Sequence, residues 1–154
     1  MLLTEILENL YQQKITPEQA LQKLNGFPYE DLDFAKVDHA RELRRGTPEV
    51  VFGQGKTTRQ ILQISRSILK KGSNLLITRL SVEAYKDLKR QLPQGKYHEL
   101  ARSLTVIKKK PAAGRGPIAI LTAGTSDIPV AEEPAVRIAI GPRYSGSGRS
   151  CYYL

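Results

Sequence analysis

The sequence has one cysteine, Cys151, and no long apolar stretch. A single cysteine cannot form an internal disulfide, and no Cys or His cluster with metal-ligand spacing surrounds it, so a disulfide scaffold and a structural zinc site are excluded. No apolar run approaches the roughly 18 to 20 residues that a bilayer-spanning helix needs. The first five residues also lack the basic segment that begins a signal peptide. We therefore expect a soluble cytoplasmic protein with no membrane partner and no bound structural metal.

Acidic residues are outnumbered by basic ones, which leaves a formal net charge of +9 on 154 residues. Such a charge favours an anionic partner, whether a nucleic acid, a nucleotide or an acidic surface. The lysines and arginines are spread along the chain and are not interleaved with the aromatic side chains on which single-strand binders stack bases. We therefore favour a solvated basic surface and do not expect nucleic acid as a partner.

Two short helices are predicted within the first 26 residues. Leucine and isoleucine recur at helical spacing over residues 2–10, which indicates an amphipathic helix. Thr16-Pro17-Glu18-Gln19 then supplies an N-cap, a proline at the first helical position and a capping-box glutamine. Ala20, Leu21 and Leu24 are expected to face inward, and Asn25-Gly26 provides a stop signal. The pattern predicts a helical hairpin ahead of the rest of the fold.

Residues 30–46 form a polar segment with few apolar side chains. Asp38, Arg41 and Arg45 have the spacing of one helical face. Two interpretations stay open. One is an ion-paired surface helix, which the spacing slightly favours. The other is an arginine cluster, including Arg44, that binds phosphate through its planar guanidinium groups.

A strand signal at residues 49–52 is followed by Gly53-Gln54-Gly55-Lys56-Thr57-Thr58 and an apolar-periodic helix. Glycines, a lysine and a hydroxyl between a strand and a helix imitate a phosphate-binding loop. The complete motif requires a glycine where Val50 stands, so we do not expect nucleoside triphosphate hydrolysis. A turn capped by Thr57 or Thr58 explains the same residues, and a weaker anion-binding nest stays open.

Strand and helix signals continue to alternate after this helix. Residues 74–78 and 104–107 are predicted as strands, and residues 81–92 as a helix that Ser81 caps and Pro93 ends. This alternation predicts an α/β fold with parallel strands and right-handed crossovers. The basic segment at residues 108–116, which carries proline and glycine, marks a boundary between two parts of the chain.

The stretch from residue 117 to residue 133 is the most informative for function. It contains a strand at residues 118–121, a Gly124-Thr125-Ser126-Asp127 turn, and a helix that carries Glu132 and Glu133 in its first turns. In open α/β sheets, ligands bind outside the carboxyl ends of the strands, where turn N–H groups and a helix N-terminus hold an anion. Asp127 could equally be a helix N-cap, and the two glutamates could simply be favourably placed in the first helical turns.

Three segments, residues 38–57, 97–102 and 122–133, carry a family resemblance. They resemble the LarB family of nickel-pincer nucleotide biosynthesis, whose similar cyanobacterial proteins are called circadian phase modifiers. The second part resembles the purine carboxylase PurE, whose glycine- and serine-rich turn corresponds to residues 124–127. The resemblance covers about residues 34–136. It implies an N-terminal LarB-type domain at residues 1–110, followed at residues 111–136 by the first strand, turn and helix of a PurE-like, flavodoxin-like parallel sheet.

The resemblance also implies an activity, that of a carboxylase and hydrolase of nicotinic acid adenine dinucleotide. The enzyme would add CO₂ to the pyridinium ring and cleave the phosphoanhydride to release AMP. A cysteine adds to the ring first, because an electron-poor pyridinium must become enamine-like before its carbon attacks CO₂. A carboxylate base then removes the ring proton. We expect CO₂ or bicarbonate as co-substrate, no tightly bound cofactor, and Mg²⁺ as an ion that could assist hydrolysis.

The residues that the resemblance assigns fall into two groups, the catalytic candidates Glu132, Glu133 and Asp127, and the substrate-binding candidates Gly124, Thr125, Ser126, Arg41, Arg44 and Lys56. On this scheme one of the two glutamates is the base. Residues 124–127 line the pocket with turn N–H groups and short polar side chains.

The resemblance ends after Val136. Residues 137–154 lose apolar periodicity and turn rich in Gly, Ser and Arg, and Cys151 has no family context. We therefore expect a tail, a truncated chain that is weakly active or inactive, and loose packing beyond about residue 110. PurE-like domains that are complete assemble into homo-oligomers.

Two other functions stay open. A purine carboxylase or mutase acting on aminoimidazole ribonucleotide is disfavoured, because that family lacks the N-terminal part. The basic charge permits a non-catalytic binding or regulatory protein.

Overall fold

The computed structural model describes residues 3–24, 27–42, 47–110, 118–140 and 149–153, the last range as backbone only. The predicted stop at Asn25-Gly26, the site candidate Arg44, and Arg45 lie outside these ranges, as does the predicted boundary after residue 110. The elements in chain order are α1 (Leu3–Tyr11), α2 (Pro17–Leu24), β1 (Tyr29–Asp31), β2 (Lys36–Asp38), β3 (Val50–Phe52), α3 (Thr58–Lys70), β4 (Leu75–Thr78), α4 (Val82–Lys89), β5 (Lys96–His98), β6 (Ser103–Val106), β7 (Ile118–Thr122), a 3₁₀ turn (Thr125–Asp127), α5 (Ile128–Ile140) and β8 (Arg149–Tyr153). The predicted α/β class is confirmed.

The predicted helical hairpin is present as α1 and α2, which contact each other. The capping box forms as expected: the Gln19 N–H donates to Thr16 Oγ1 at 3.2 Å, and the Thr16 N–H donates to Gln19 Oε1 at 3.0 Å. Ile6 and Ala20 are buried, whereas Leu21 is exposed, against our prediction that it faces inward. Helices of only nine and eight residues share a narrow contact surface. This surface is narrower than the apolar stripe of the two sequences, so some apolar side chains stay exposed.

Residues 29–42 form a hairpin of two strands followed by a helical turn that begins at Arg41. β1 and β2 pair antiparallel, with Tyr29 opposite Asp38. The prediction that Asp38 shares a helical face with Arg41 is therefore wrong. Asp38 ends a strand instead, and its Oδ1 accepts a hydrogen bond from the Ala40 N–H at 3.0 Å.

The central sheet has the strand order β3-β4-β6-β5. β3 and β4 are parallel, as predicted, but β6 runs antiparallel to both β4 and β5. The expectation of a wholly parallel sheet is therefore wrong for its second half. β5 was missed, and because only residues 99–102 separate it from β6, the chain returns as a hairpin rather than a crossover.

Helices cover both faces of this sheet. On one face α3 and α4 pack through Ile61, Ile68 and Leu88 onto alternate strand residues such as Ile77 and Leu104. On the other face α5 buries Val136 and Ile140 against Leu76, Ala101 and Val50. Each buried side chain of this size contributes about 1.5–3 kcal/mol. The sheet therefore forms the middle of three layers.

The third layer reaches beyond the end of the family resemblance. α5 continues past Val136 to Ile140, which is buried, so residues 137–140 are helical and not part of an irregular tail. The buried amide of Asn74 holds the end of this helix: its Nδ2 donates to the Ile140 and Lys109 carbonyls at 3.4 and 3.0 Å, and its Oδ1 accepts from the Lys108 and Lys109 N–H groups at 2.8 and 2.9 Å. One side chain thus joins β4, α5 and the segment after β6.

β7 has the predicted position and forms a separate two-stranded parallel sheet with β8. The register places Ile120 opposite Cys151. Within the described ranges, no helix is long and apolar enough to cross a membrane.

Candidate functional site

The carboxyl ends of β3 and β4 meet in close backbone contact. The Gly53 N–H donates to the Thr78 carbonyl oxygen at 2.8 Å. A Cβ atom on Gly53 would lie 2.9 Å from that same oxygen, closer than real Cβ contacts come. Glycine therefore allows the turn after β3 to lie directly against the end of β4. This turn is the one that sequence analysis compared with a phosphate-binding loop, and Thr57 caps the following helix as predicted.

Arg79 follows β4 at this edge and points to α5. Its Nε lies 2.9 Å from Oε2 of Glu133. Its φ of +53° is in the left-handed region, which costs an L-residue about 1–2 kcal/mol. Backbone hydrogen bonds hold the chain on both sides, from the Gly53 N–H to Thr78 O and from the Leu80 N–H to Arg102 O, each at 2.8 Å. Strained backbone held in this way is concentrated at functional sites.

Of the two predicted base candidates, Glu133 forms this ion pair. Glu133, a predicted base, is tied to the sheet, and its side chain is 29% exposed, whereas that of Arg79 is 49% exposed. Glu132 is also half-buried, and it lies one position earlier on the helix, about 100° around its axis. Sequence analysis missed Arg79, since no local pattern marks an arginine that will adopt a positive φ.

The predicted Gly124–Asp127 turn is present between β7 and α5. Gly124 has a φ of +94°, which only glycine adopts readily, and the Asp127 N–H donates to the Gly124 carbonyl at 3.3 Å. Residues 124–127 are exposed. Immediately before them, Thr122 Oγ1 is buried without a hydrogen-bond partner in the described part of the protein. Such an atom costs about 1–3 kcal/mol and calls for an explanation, of which a ligand is one.

The remaining described candidates, Arg41 and Lys56, lie elsewhere. Arg41 Nη1 is 4.0 Å from Oε2 of Glu49, and its buried Nε has no partner among the described residues. Lys56 is exposed and borders a cleft that also includes Glu49. Across the ranges that the structure describes, no hydrogen bond or ion pair joins either residue to residues 124–127. The structure therefore places the substrate-binding candidates in two groups.

A polar cluster that sequence analysis did not identify joins the β1–β2 hairpin to α3. Oε2 of Glu30 accepts hydrogen bonds from Ser67 Oγ at 2.7 Å and from His39 Nε2 at 2.8 Å. The Ser67 hydroxyl, followed by His39, lowers the pKa of Glu30 below its ordinary value. Because the hydroxyl donates to the carboxylate rather than to the imidazole, the arrangement does not activate Ser67 as a nucleophile. The cluster instead fixes the hairpin to the helix.

No group of three or more His, Cys, Asp or Glu side chains gathers in the described ranges. The assistance of hydrolysis by Mg²⁺ stays a prediction.

Comparisons with known proteins identify a family and a relative for this chain. Residues 29–109 match the family model described as the LarB/PurE-like N-terminal domain. The uncharacterized protein MJ0165 of Methanocaldococcus jannaschii is 36% identical over 112 residues, which cover 68% of this chain and 44% of that protein. The chain thus spans less than half the length of this curated relative. The family match includes Arg79 and ends before Glu133.

Proposed function

The chain belongs to the LarB/PurE-like N-terminal domain family, which is carboxylase-related, and from this membership we propose that it serves a carboxylase of nickel-pincer nucleotide biosynthesis. The proposed substrate is nicotinic acid adenine dinucleotide, which receives CO₂ on its pyridinium ring and is cleaved at its phosphoanhydride to release AMP. CO₂ or bicarbonate is the proposed co-substrate.

The observation that carries this proposal is the ion pair between Arg79 and Glu133. Arg79 lies in the part of the chain that the family model matches, and Glu133 lies on the helix after the Gly124–Asp127 turn. The pair therefore joins the family domain to the segment that carries the candidate base. This contact is what a domain that supports a neighbouring carboxylase site would make.

Proton removal requires the base to be held at a fixed position relative to the ring carbon. A general base works only within hydrogen-bond reach of the proton that it removes. The Arg79 Nε–H fixes one oxygen of the Glu133 carboxylate, and the packing of Val136 one turn later fixes the helix that carries it. We propose Glu133 as the base for this reason, and Glu132, which also has an interaction partner, stays the alternative. The nucleophilic cysteine is not assigned to Cys151.

The experiment measures both halves of the reaction on the purified chain with a small thiol added, because no cysteine of this chain is assigned as the nucleophile. Nicotinic acid adenine dinucleotide is incubated with labelled bicarbonate and Mg²⁺, and AMP and acid-stable label are quantified. Glu133→Gln should lower the rate about 10²- to 10⁴-fold, the usual contribution of a general base. Glu8→Gln, at an exposed glutamate of α1, is the matched control.

Three outcomes would redirect the proposal. A larger loss in Glu132→Gln than in Glu133→Gln would move the base to Glu132. Turnover of aminoimidazole ribonucleotide without turnover of the dinucleotide would identify a purine carboxylase. Absence of both reactions would refute catalysis by this chain.

A further inference from the structure

A cleft of about 240 Å³ lies between β2 and the outer edge of β3. Its apolar lining includes Val37, Phe52 and Ile64, and its charged lining consists of Lys36, Lys56 and Glu49. Sites that enclose a drug-sized ligand measure about 300–1,000 Å³. The cleft therefore fits one part of a dinucleotide rather than the whole molecule.

The edge of β3 supplies backbone groups to this cleft. β3 is the first strand of the central sheet, and β2 belongs to a different sheet. Within the described ranges, no backbone hydrogen bond joins β2 to β3. An edge strand presents N–H and C=O groups that no neighbouring strand uses. Apart from the Val50 N–H, which donates to Oε1 of Glu49 at 3.3 Å, these groups are donors and acceptors that a planar base could pair with.

The charges that border the cleft favour an anion. Lys56 is exposed, and no ion pair or hydrogen bond engages its ammonium group in the described part of the chain. The Lys36 ammonium lies 3.8 Å from Oδ2 of Asp31, but their side chains are 74% and 60% exposed, so this pair is weak and easily exchanged. The negative charge of Glu49 is offset by Arg41. Two lysines thus remain to bind a phosphate.

Phe52 supplies an aromatic surface beside these lysines. Its side chain is 51% exposed at the carboxyl end of β3, which is unusual for a phenylalanine next to a core. Stacking of a nucleic-acid base on an aromatic side chain contributes about 1–3 kcal/mol. A ligand that combines a base with a phosphate would use both the ring and the lysines.

β3, which lines the cleft, ends beside the end of β4. Gly53 follows Phe52 and contacts the end of β4, where Arg79 pairs with Glu133. Neighbouring strands are about 4.8 Å apart. Ile64 of the cleft lies on the face that α3 covers, whereas Glu133 lies on α5, which covers the other face. A dinucleotide with one half in the cleft would therefore pass around the end of β3 to bring its other half to Glu133.

We propose that this cleft binds the adenylate half of the dinucleotide, with its phosphate on Lys36 and Lys56 and its adenine against Phe52. The identity of the ligand rests on the proposed function. The preference for a base that carries a phosphate rests on the cleft itself.

The test is a titration of the isotope-labelled chain with AMP, followed by amide chemical shifts. The shifts should move at residues 35–37 and 50–56. Lys36→Gln and Lys56→Gln should each weaken AMP binding about tenfold. Lys89→Gln, at an exposed lysine of α4 that does not line the cleft, is the control and should leave the affinity unchanged. Phe52→Leu should weaken the binding of AMP but not that of inorganic phosphate.

Several results would overturn the inference. They are an absence of shifts at these amides, equal losses in Lys89→Gln and Lys56→Gln, and inorganic phosphate binding as tightly as AMP. The test is separable from the proposed function. AMP binding at the cleft without turnover of the dinucleotide supports the cleft and refutes the enzyme. Turnover of the dinucleotide with a KM that is unchanged in Lys56→Gln supports the enzyme and refutes the cleft.

Discussion

Replacement of Arg79 by glycine removes two opposing contributions to stability. The side chain of Arg79 forms the ion pair with Glu133, and its backbone has a φ of +53°. Loss of a partly exposed ion pair costs about 0.2–1 kcal/mol. Relief of the left-handed strain stabilises the folded state by about 1–2 kcal/mol. The greater conformational freedom of glycine in the unfolded chain destabilises the folded state by about 0.5–1 kcal/mol. The two effects nearly cancel, so Arg79→Gly should unfold with close to the wild-type free energy.

Alanine at the same position separates the two contributions. Arg79→Ala loses the ion pair but keeps the left-handed strain, so it should be about 0.2–1 kcal/mol less stable than wild type. Arg79→Gly should therefore be more stable than Arg79→Ala by about 0.5–1 kcal/mol. Glu133→Gln should resemble Arg79→Ala, since it removes only the ion pair. The assay is urea unfolding followed by far-ultraviolet circular dichroism, with the four proteins measured side by side.

The reasoning fails if Arg79→Gly is the less stable of the two variants, because the backbone at residue 79 would then not be strained. Carboxylation adds a second comparison. If Arg79 orients the base, both variants should lose activity although one of them is as stable as wild type. Activity that follows stability across the series would show that the arginine has only a structural role.

Three further predictions concern the fold around this edge. Gly53→Ala should lower the free energy of unfolding by about 1–3 kcal/mol, because the added Cβ would clash with a carbonyl oxygen. Gly55→Ala should lower it less, because its Cβ meets nothing within 4 Å and only the φ of +77° opposes alanine. Thermal unfolding that ranks the two variants the other way would contradict the close approach at Gly53. Asn74→Ala should lower the free energy of unfolding by at least about 2 kcal/mol, since it leaves buried backbone groups unpaired. Amide hydrogen exchange should become faster at the end of α5. Unchanged exchange there would disprove that Asn74 holds this helix end. The hydrogen bonds of Glu30 lower its pKa, so its contribution to folding stability is present above pH 4.5, the ordinary pKa, and is lost as the pH falls through the lowered pKa. The greater stability of wild type over Glu30→Gln, measured by urea unfolding, should therefore disappear in acid. A difference that persists in acid would contradict the role of these hydrogen bonds.

Local sequence signals predicted where the helices begin, although α4 ends at Lys89 rather than at the predicted residue 92. Thr16 and Ser81 were identified as caps, and Thr57 as one of two candidates with Thr58. The side chains of Thr16, Thr57 and Ser81 each accept the expected backbone hydrogen bond. A cap acts within one turn of chain, so the sequence contains both of its partners. The apolar strands β3, β4 and β7 were found for a related reason, since each is a run of mainly apolar residues bounded by turn residues.

The short polar strands were missed because their stability is not local. β1, β2 and β5 have three residues each and carry charged or aromatic side chains. Such strands exist because a partner is available, as in the pairing of Tyr97 with Leu104. The antiparallel direction of β6 follows from the same missed hairpin. The helical prediction at Asp38 failed because its charge spacing fits a helix face and a strand end equally well.

Individual residues of the candidate site were predicted from the sequence, but the contacts between them were not. The Gly124–Asp127 turn was predicted from the strand-turn-helix pattern. Glu133 became a candidate base through the resemblance, and Lys56 was noted from its place between a strand and a helix. Arg79 belongs to no motif, and its importance comes from the approach of α5 to the end of β4. Phe52 has an ordinary place in an apolar strand, and its exposure follows from β3 being an edge strand.

These connections suggest what the family domain contributes to a carboxylase. The domain buries one side of α5 through Leu76 and supplies Arg79 to the carboxylate one turn before Val136. Packing fixes the axis of the helix, and the ion pair fixes the rotation of one side chain on it. A base that must reach one proton on a bound ring needs both constraints. The domain would then act on catalysis by holding Glu133 in place, without itself touching the reacting carbon.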